Sequence, residues 1–124
     1  MKNEQLVLEG MPEPIFDRSG FSDNELAKAQ AKIDMTNALL DRHPDLLAEA
    51  RRLALMAAAK RGHVGVRWLG EAVRLWLADR ADDQLNNDST SVIVRLLVRR
   101  EPWLRGLFEL RLCALDAVLA GEAT

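Results

Sequence analysis

The stretch that decides the fold is KRGHVGVRWLGEAVRLWLADR, residues 60–80. Gly62 follows a run of helix-forming residues and is typical of a left-handed C-cap, so one helix ends there. The sequence from Val66 to Arg80 predicts a second helix with a narrow polar stripe. The stripe, which spans about 60° at 100° per residue, consists of Arg67, Glu71, Arg74 and Ala78. A helix so nearly apolar all round is central or is covered by a partner, and we expect it to form the structural core.

Two helices are predicted before Val66, and the second of them is the helix that ends at Gly62. Pro44 suits the first position of a helix that continues to Arg61, and His43-Pro44 ends the helix before it. That earlier helix opens at residues 22–25, Ser-Asp-Asn-Glu, which form a capping box. Glycine and proline interrupt any regular pattern over 1–21. We therefore expect a flexible N-terminal arm over 1–21 and a single helical domain over 22–121.

Downstream, the polar connection after Arg80 leads to a fourth helix that Asp88 or Ser89 could cap. Pro102 then predicts a long last helix through Ala120. Its apolar surface is wider than one face, which indicates either deep burial or a homodimer contact through this C-terminal helix. A short wing or strand near 107–113 is the alternative. The predicted fold is all-α, with about five helices and a trihelical, helix-turn-helix-like middle.

Composition places the chain among ordinary globular proteins. It has 124 residues, a formal net charge of −2 and one cysteine, Cys113, which has no partner for an internal disulfide. The N-terminus lacks the order of a secretory signal, and no apolar stretch is long enough to span a bilayer. Cytoplasm is the expected location. The charge is uneven, because residues 1–50 are acidic and residues 51–80 are basic, which can mark an anionic partner or two segments that pack together.

Residues suited to catalysis are scarce. His43 is most simply a helix-end residue, His63 a loop residue, and Cys113 a small hydrophobe. The sequence contains no glycine-rich phosphate loop and no clustered metal ligands. We therefore expect no enzyme activity, no metal and no cofactor. An enzyme would need a cleft that brings one of these three residues to a carboxylate.

The basic residues suggest binding of nucleic acid. In a helix-turn-helix unit the third helix enters the major groove, and here its outward stripe would be Ser91, Arg95 and Arg99. Arginine can contact guanine or phosphate, and serine can donate or accept at either. Further phosphate contacts would come from Lys60, Arg61 and Arg67. The alternative is a solvated helix face with no partner.

From His43 to Arg111 the chain resembles a group of small, functionally uncharacterised proteins encoded in phages and prophages. The residues that carry the resemblance are His43-Pro44, Lys60-Arg61-Gly62, Glu71, Arg74, Trp76, Leu85-Asn86-Asn87, Arg95-Leu96, Pro102 and Phe108-Glu109-Leu110-Arg111. In that group Asn-Pro often stands in place of His43-Pro44, and the arginine and tryptophan are adjacent. The resemblance implies a mobile-element setting but no residue roles.

That setting favours two functions. The first is a small phage or mobile-element regulator that binds nucleic acid. The second is a non-enzymatic inhibitor or adaptor that binds a host or phage protein, such as an antagonist of a CRISPR-type defence complex. An inhibitor would anchor itself with exposed aromatic residues or with the arm. The candidates are Trp68, Trp76, Trp103 and the segment Leu6–Phe16.

Overall fold

The protein is all-α. Its computed structural model describes residues 20–122, so almost all of the predicted arm lies outside the described residues. The helices are α1 (Asp23–Arg42), α2 (Leu46–Arg61), α3 (Val66–Arg80), α4 (Asn87–Arg100), the 3-10 helix η1 (Pro102–Leu107) and α5 (Ala114–Glu122). The described part of the chain has no β-strand, only a single parallel bridge between Val64 and Phe108.

The helix ends follow local chemistry. The capping box of α1 is present: the Ser22 hydroxyl accepts from the Glu25 N–H at 3.1 Å, and the Glu25 carboxylate accepts from the Ser22 N–H at 2.9 Å. These bonds to Ser22 lower the pKa of Glu25. Two predicted starts are shifted. Helix α2 begins at Leu46 after a turn that contains Pro44, and the cap of α4 is Asn86, whose side chain accepts from the Asp88 N–H.

The central element is α4, whereas the sequence predicted α3. Helix α4 packs against α1, α2, α3 and η1. It is buried at Ser89, Thr90, Val92, Ile93, Val94, Arg95, Leu97 and Val98. Helix α3 buries Leu69, Gly70, Val73 and Leu77 but leaves Trp68 and Leu75 exposed. The composition of α3 is apolar because one apolar stripe faces the core and another faces solvent.

The long helix predicted from Pro102 to Ala120 is divided into three parts. Pro102 starts the short helix η1, Phe108 is extended and forms the bridge to Val64, and α5 begins only at Ala114. The Asp116 carboxylate accepts from the Cys113 N–H at 2.9 Å and so caps the new helix start. The apolar residues of α5 pack in a cluster with α1, including Leu115, Val118 and Leu119. The part of the predicted apolar surface that lies on α5 is therefore covered within the chain, whereas Trp103 is 57% exposed and Leu112 is 66% exposed.

Candidate nucleic-acid interface

The link between α2 and α3 has a fixed backbone. Gly62 caps α2 with φ of 80°, and its N–H donates to the Ala58 carbonyl at 2.7 Å. Two residues later the Val64 N–H donates to the Leu107 carbonyl at 2.7 Å, and the Val64 side chain is buried. This anchor leaves Lys60, Arg61 and His63 exposed around it. The link therefore presents basic side chains from a rigid support.

A surface pocket of about 290 Å³ lies between the end of α2 and the start of α3. It is lined by Met56, Ala57, Lys60, Arg61, His63, Gly65 and Trp68. Its walls therefore combine an indole and a thioether with two cations and an imidazole. We call this pocket, together with the neighbouring Arg67, the basic link site.

The cations of the basic link site are available to a partner. Lys60, Arg61 and Arg67 are all exposed, and none forms an ion pair or a side-chain hydrogen bond within residues 20–122. Several other basic side chains are engaged in the described structure. Arg51 pairs with Glu101, Arg52 with Glu49, and Arg74 with Glu71. The three predicted phosphate contacts thus remain exposed and unpaired; Lys60 and Arg61 line the pocket, and Arg67 precedes the pocket residue Trp68 in the chain.

Arg95 contradicts the predicted recognition stripe. Its side chain is only 7% exposed, and it pairs with Asp116 at 2.9 Å. It also donates to the carbonyls of Ser91 at 3.1 Å and Arg111 at 2.9 Å. The prediction that Arg95 faces outward is wrong, because Arg111 and Asp116 in the segment after η1 accept from two of its guanidinium nitrogens. The third nitrogen donates to the Ser91 carbonyl within α4 itself.

The other members of the stripe do not restore a groove-reading helix. Ser91 is half-buried, Thr90 beside it is buried, and only Arg99 at the helix end is exposed. None of Ser91, Arg95 and Arg99 lines the pocket of the basic link site. A recognition helix must enter the major groove with one long side free. Helix α4 packs against α1, α2, α3 and η1, so it has no long side free to enter a groove. The trihelical order α2–α3–α4 therefore does not make α4 a recognition helix.

The loop before α4 is held by ionic and hydrogen-bonded contacts. Asp83 accepts from the Arg42 Nε at 3.0 Å and lies 2.8 Å from the His43 Nε2. Arg74 donates to the Leu85 carbonyl at 3.3 Å and to the Asn87 side chain at 2.6 Å. The hydrogen bonds from His43 and then Arg42 hold the pKa of Asp83 well below its usual range. These residues have structural partners, so they are not candidates for binding nucleic acid.

The depressed pKa of Asp83 predicts a specific acid sensitivity. Because the folded state binds the Asp83 proton less tightly than the unfolded state, this contribution to stability is present above about pH 4 and is lost progressively below it. We expect the Tm advantage of the natural chain over Asp83→Asn to shrink as the pH falls from about 5 to about 2.5. Thermal unfolding followed by circular dichroism measures this. Asp41→Asn removes an exposed, unpaired carboxylate as the control, and a constant Tm difference for Asp83→Asn would contradict the assignment.

The remaining candidates for chemistry stay apart. His43 contacts Asp83, the Nδ1 of His63 lies 3.2 Å from the Arg61 carbonyl, and Cys113 is a half-buried thiol at the start of α5. Within residues 20–122, no group of three or more histidine, cysteine, aspartate or glutamate side chains could hold a metal ion. No helix of that same range combines the length and the apolar character needed to cross a membrane.

Sequence reasoning missed the apolar half of the basic link site. Trp68, which the sequence offers either as a core residue or as an exposed anchor, is 38% exposed, and Met56 in the same pocket is 41% exposed. A signal was present, since Trp68, Ala72 and Leu75 lie within about 60° of one another on a helix. This second apolar stripe adjoins the polar stripe. Because a helix turns only one face toward the core of its own chain, one of its two apolar stripes must lie at the surface.

Comparison with protein-family models, with curated proteins and with solved structures found no match for this chain. The function must therefore be argued from the site itself.

Proposed function

We propose that this chain is a small, non-enzymatic regulatory protein of a mobile genetic element that binds nucleic acid through the basic link site. The observation that supports it is the grouping of Lys60, Arg61 and Arg67, exposed and unpaired in the described structure, beside a pocket that contains Trp68. The mobile-element setting rests on the sequence resemblance of residues 43–111.

The chemistry of the site suits a phosphate backbone with an unpaired base. Cations without intramolecular partners can replace the counterions that surround phosphates, and their release drives association. An exposed indole beside them offers a stacking surface, and base–aromatic stacking contributes about 1–3 kcal/mol per base. The pocket of about 290 Å³ provides a concave surface between these groups. Single-stranded segments expose the base faces that a duplex hides, so we expect single strands to bind more tightly than duplex.

This mode of binding does not read sequence. Of the α4 side chains that would contact base edges, Arg95 is buried and bonded within the chain, Ser91 is half-buried, and only Arg99 at the helix end is exposed. Contacts to phosphates position a protein but carry no direct sequence information. With three free cations and a net charge of −2, the affinity should lie in the weak, non-specific range of about 1–100 μM.

The test is fluorescence anisotropy of a labelled, mixed-sequence oligonucleotide, as single strand and as duplex, titrated with the full chain at several salt concentrations. With three phosphate contacts, the slope of log affinity against log salt should be about −2 for the single strand. The variant Lys60→Ala/Arg61→Ala/Arg67→Ala should lose binding, and Trp68→Ala should weaken the single strand more than the duplex.

A charge-matched control separates the site from net charge. Lys28→Ala/Arg99→Ala/Arg111→Ala also removes three exposed cations that have no ion-pair partner in the described structure, but leaves the basic link site intact. It should retain most of the affinity. Equal losses in both triple variants would contradict a localised site, and no binding of either oligonucleotide by the folded natural chain would refute the proposal.

A protein-binding inhibitor or adaptor is the second candidate. It is favoured by the second stripe of α3, where Leu75 is 73% exposed and Trp68 is 38% exposed. Exposed aliphatic and aromatic residues on one helix face are the usual anchors of a protein interface. If Leu75→Ser and Trp68→Ser abolish the biological effect of the protein while Lys60→Ala/Arg61→Ala/Arg67→Ala preserves it, this candidate replaces the first. A host defence complex then becomes one target to examine.

A further inference from the structure

Residues 108–112, Phe-Glu-Leu-Arg-Leu, contain unsatisfied backbone groups; the Phe108 side chain is buried, whereas Glu109, Arg111 and Leu112 are exposed. Phe108 is extended, and no helix resumes before Ala114. Within residues 20–122, the carbonyls of Leu107 and Arg111 are used, by the Val64 N–H and by Arg95 respectively. By contrast, the carbonyls of Phe108, Leu110 and Leu112 and the N–H groups of Leu110 and Leu112 have no partner there.

The pattern of used and free groups describes one edge of a strand. In a strand the N–H and C=O of one residue point to the same side, and successive residues point to opposite sides. The inner side, at 107 and 111, is bonded to the rest of the chain. On the outer side the backbone groups of Leu110 and Leu112 and the carbonyl of Phe108 are free, while the Phe108 N–H donates to the Arg105 carbonyl at 3.3 Å. Such an edge is a template for pairing with another strand.

The side chains of the segment are complementary to themselves. If two copies pair antiparallel about a two-fold axis at Leu110, then Glu109 of each copy lies opposite Arg111 of the other. Phe108 then lies opposite Leu112. Glu109 and Arg111 are both exposed and have no ion-pair partner in the described structure, and Leu112 is 66% exposed. Opposite charges directly across an antiparallel pair stabilise it.

The free backbone groups and the charged side chains indicate the same register for the pairing. With the outer groups of Leu110 bonded to each other across the axis, Glu109 and Arg111 become a non-hydrogen-bonded pair. In such pairs the Cα atoms approach to about 4.5 Å and the side chains lie closest. We infer that the chain forms a two-fold dimer by antiparallel pairing of residues 108–112, independently of the basic link site. The contact is small, so we expect a weak dimer with a Kd of about 10–100 μM.

Charge reversal provides the main test. In a dimer of Glu109→Arg, arginine lies opposite arginine in both cross-strand pairs of positions 109 and 111. In a dimer of Arg111→Glu, glutamate lies opposite glutamate in both pairs. Each variant should therefore dimerise at least about tenfold more weakly than the natural chain. An equimolar mixture of the two variants restores opposite charges in both cross-strand pairs, so a heterodimer should form. Sedimentation velocity of the full chain, without nucleic acid, over a range of concentrations measures all three cases.

Two controls keep the inference falsifiable. Asp79→Arg and Lys28→Glu make the same reversals at exposed positions outside the segment and should dimerise like the natural chain. Leu110→Cys in a Cys113→Ser background tests the register, because residues facing each other at about 5.5 Å across the axis can form a disulfide. A natural chain that is monomeric at about 500 μM, single variants that dimerise normally, or a mixture that stays monomeric would each overturn the inference.

Discussion

Asp116→Ala is expected to destabilise the protein by about 3–5 kcal/mol, because it leaves the buried charge of Arg95 without its counter-ion. The Asp116 carboxylate accepts from the Arg95 Nε at 2.9 Å through one oxygen and from the Cys113 N–H at 2.9 Å through the other. The two side chains are only 8% and 14% exposed, so water cannot replace the lost partner at low cost. For a domain of this size the loss corresponds to a fall in Tm of about 10–20 °C.

Thermal and urea denaturation followed by circular dichroism measure this loss, and two comparisons identify its cause. Arg95→Met/Asp116→Leu removes both charges and keeps apolar volume, so it should cost far less than Asp116→Ala alone. Arg99→Ala removes an exposed arginine from the same helix and should change stability by less than about 0.5 kcal/mol. A loss below about 1 kcal/mol for Asp116→Ala would show that the pair is not buried in solution.

Arg95 also shows where sequence reasoning reached its limit. The spacing of Ser91, Arg95 and Arg99 correctly places them along one side of α4. Spacing cannot reveal that a segment about twenty residues later covers that side. A buried arginine and an outward-facing arginine have the same sequence signal when the partner carboxylate is distant in the chain. The tertiary contact with Asp116 therefore decided the role, and it could not be predicted.

Features with local causes were predicted well. The capping box at Ser22, the left-handed Gly62 and the bounds of α3 each depend on residues within one or two turns. The C-terminal third was predicted poorly because its breaks depend on distant groups. Helix formation stops at Phe108 where the chain meets Val64, and the carbonyl of Arg111 is held by Arg95. Neither contact is visible in the helical periodicity of residues 102–120.

The candidate site divides in the same way. Charged residues at a helix end and in a short link are exposed in most folds, so Lys60, Arg61 and Arg67 could be predicted. Trp68 and Met56 could not be assigned with the same rule, because an apolar residue is exposed only when the rest of the core is complete without it. The core that achieves this is built around α4, for which the sequence predicted one inward face and one exposed stripe.

The contact of Gly70 on α3 with Thr90 on α4 provides the second large prediction. A Cβ atom at Gly70 would lie 2.7 Å from the Thr90 Oγ1 and 3.2 Å from its Cγ2. Rotating Thr90 only exchanges one branch for the other, so the clash remains. Alanine normally favours a helix by about 1 kcal/mol over glycine. Overpacking at this contact outweighs that gain, and we expect Gly70→Ala to destabilise the fold by about 1–3 kcal/mol.

The partner substitution makes the cause testable. The Thr90 Oγ1 is buried and has no hydrogen-bond partner in the described structure, so Thr90→Ala removes an unsatisfied group as well as the obstacle. We therefore expect Gly70→Ala/Thr90→Ala to be more stable than Gly70→Ala, with a coupling energy of about 1–3 kcal/mol between the two sites. Gly106→Ala, where no atom lies within 4 Å of the new Cβ, is the control and should be nearly neutral. Additive losses in the double variant would mean that the two helices do not touch at this position. A positive coupling would establish the packing of α3 on α4, which in turn orients Trp68 and the basic link site at the surface.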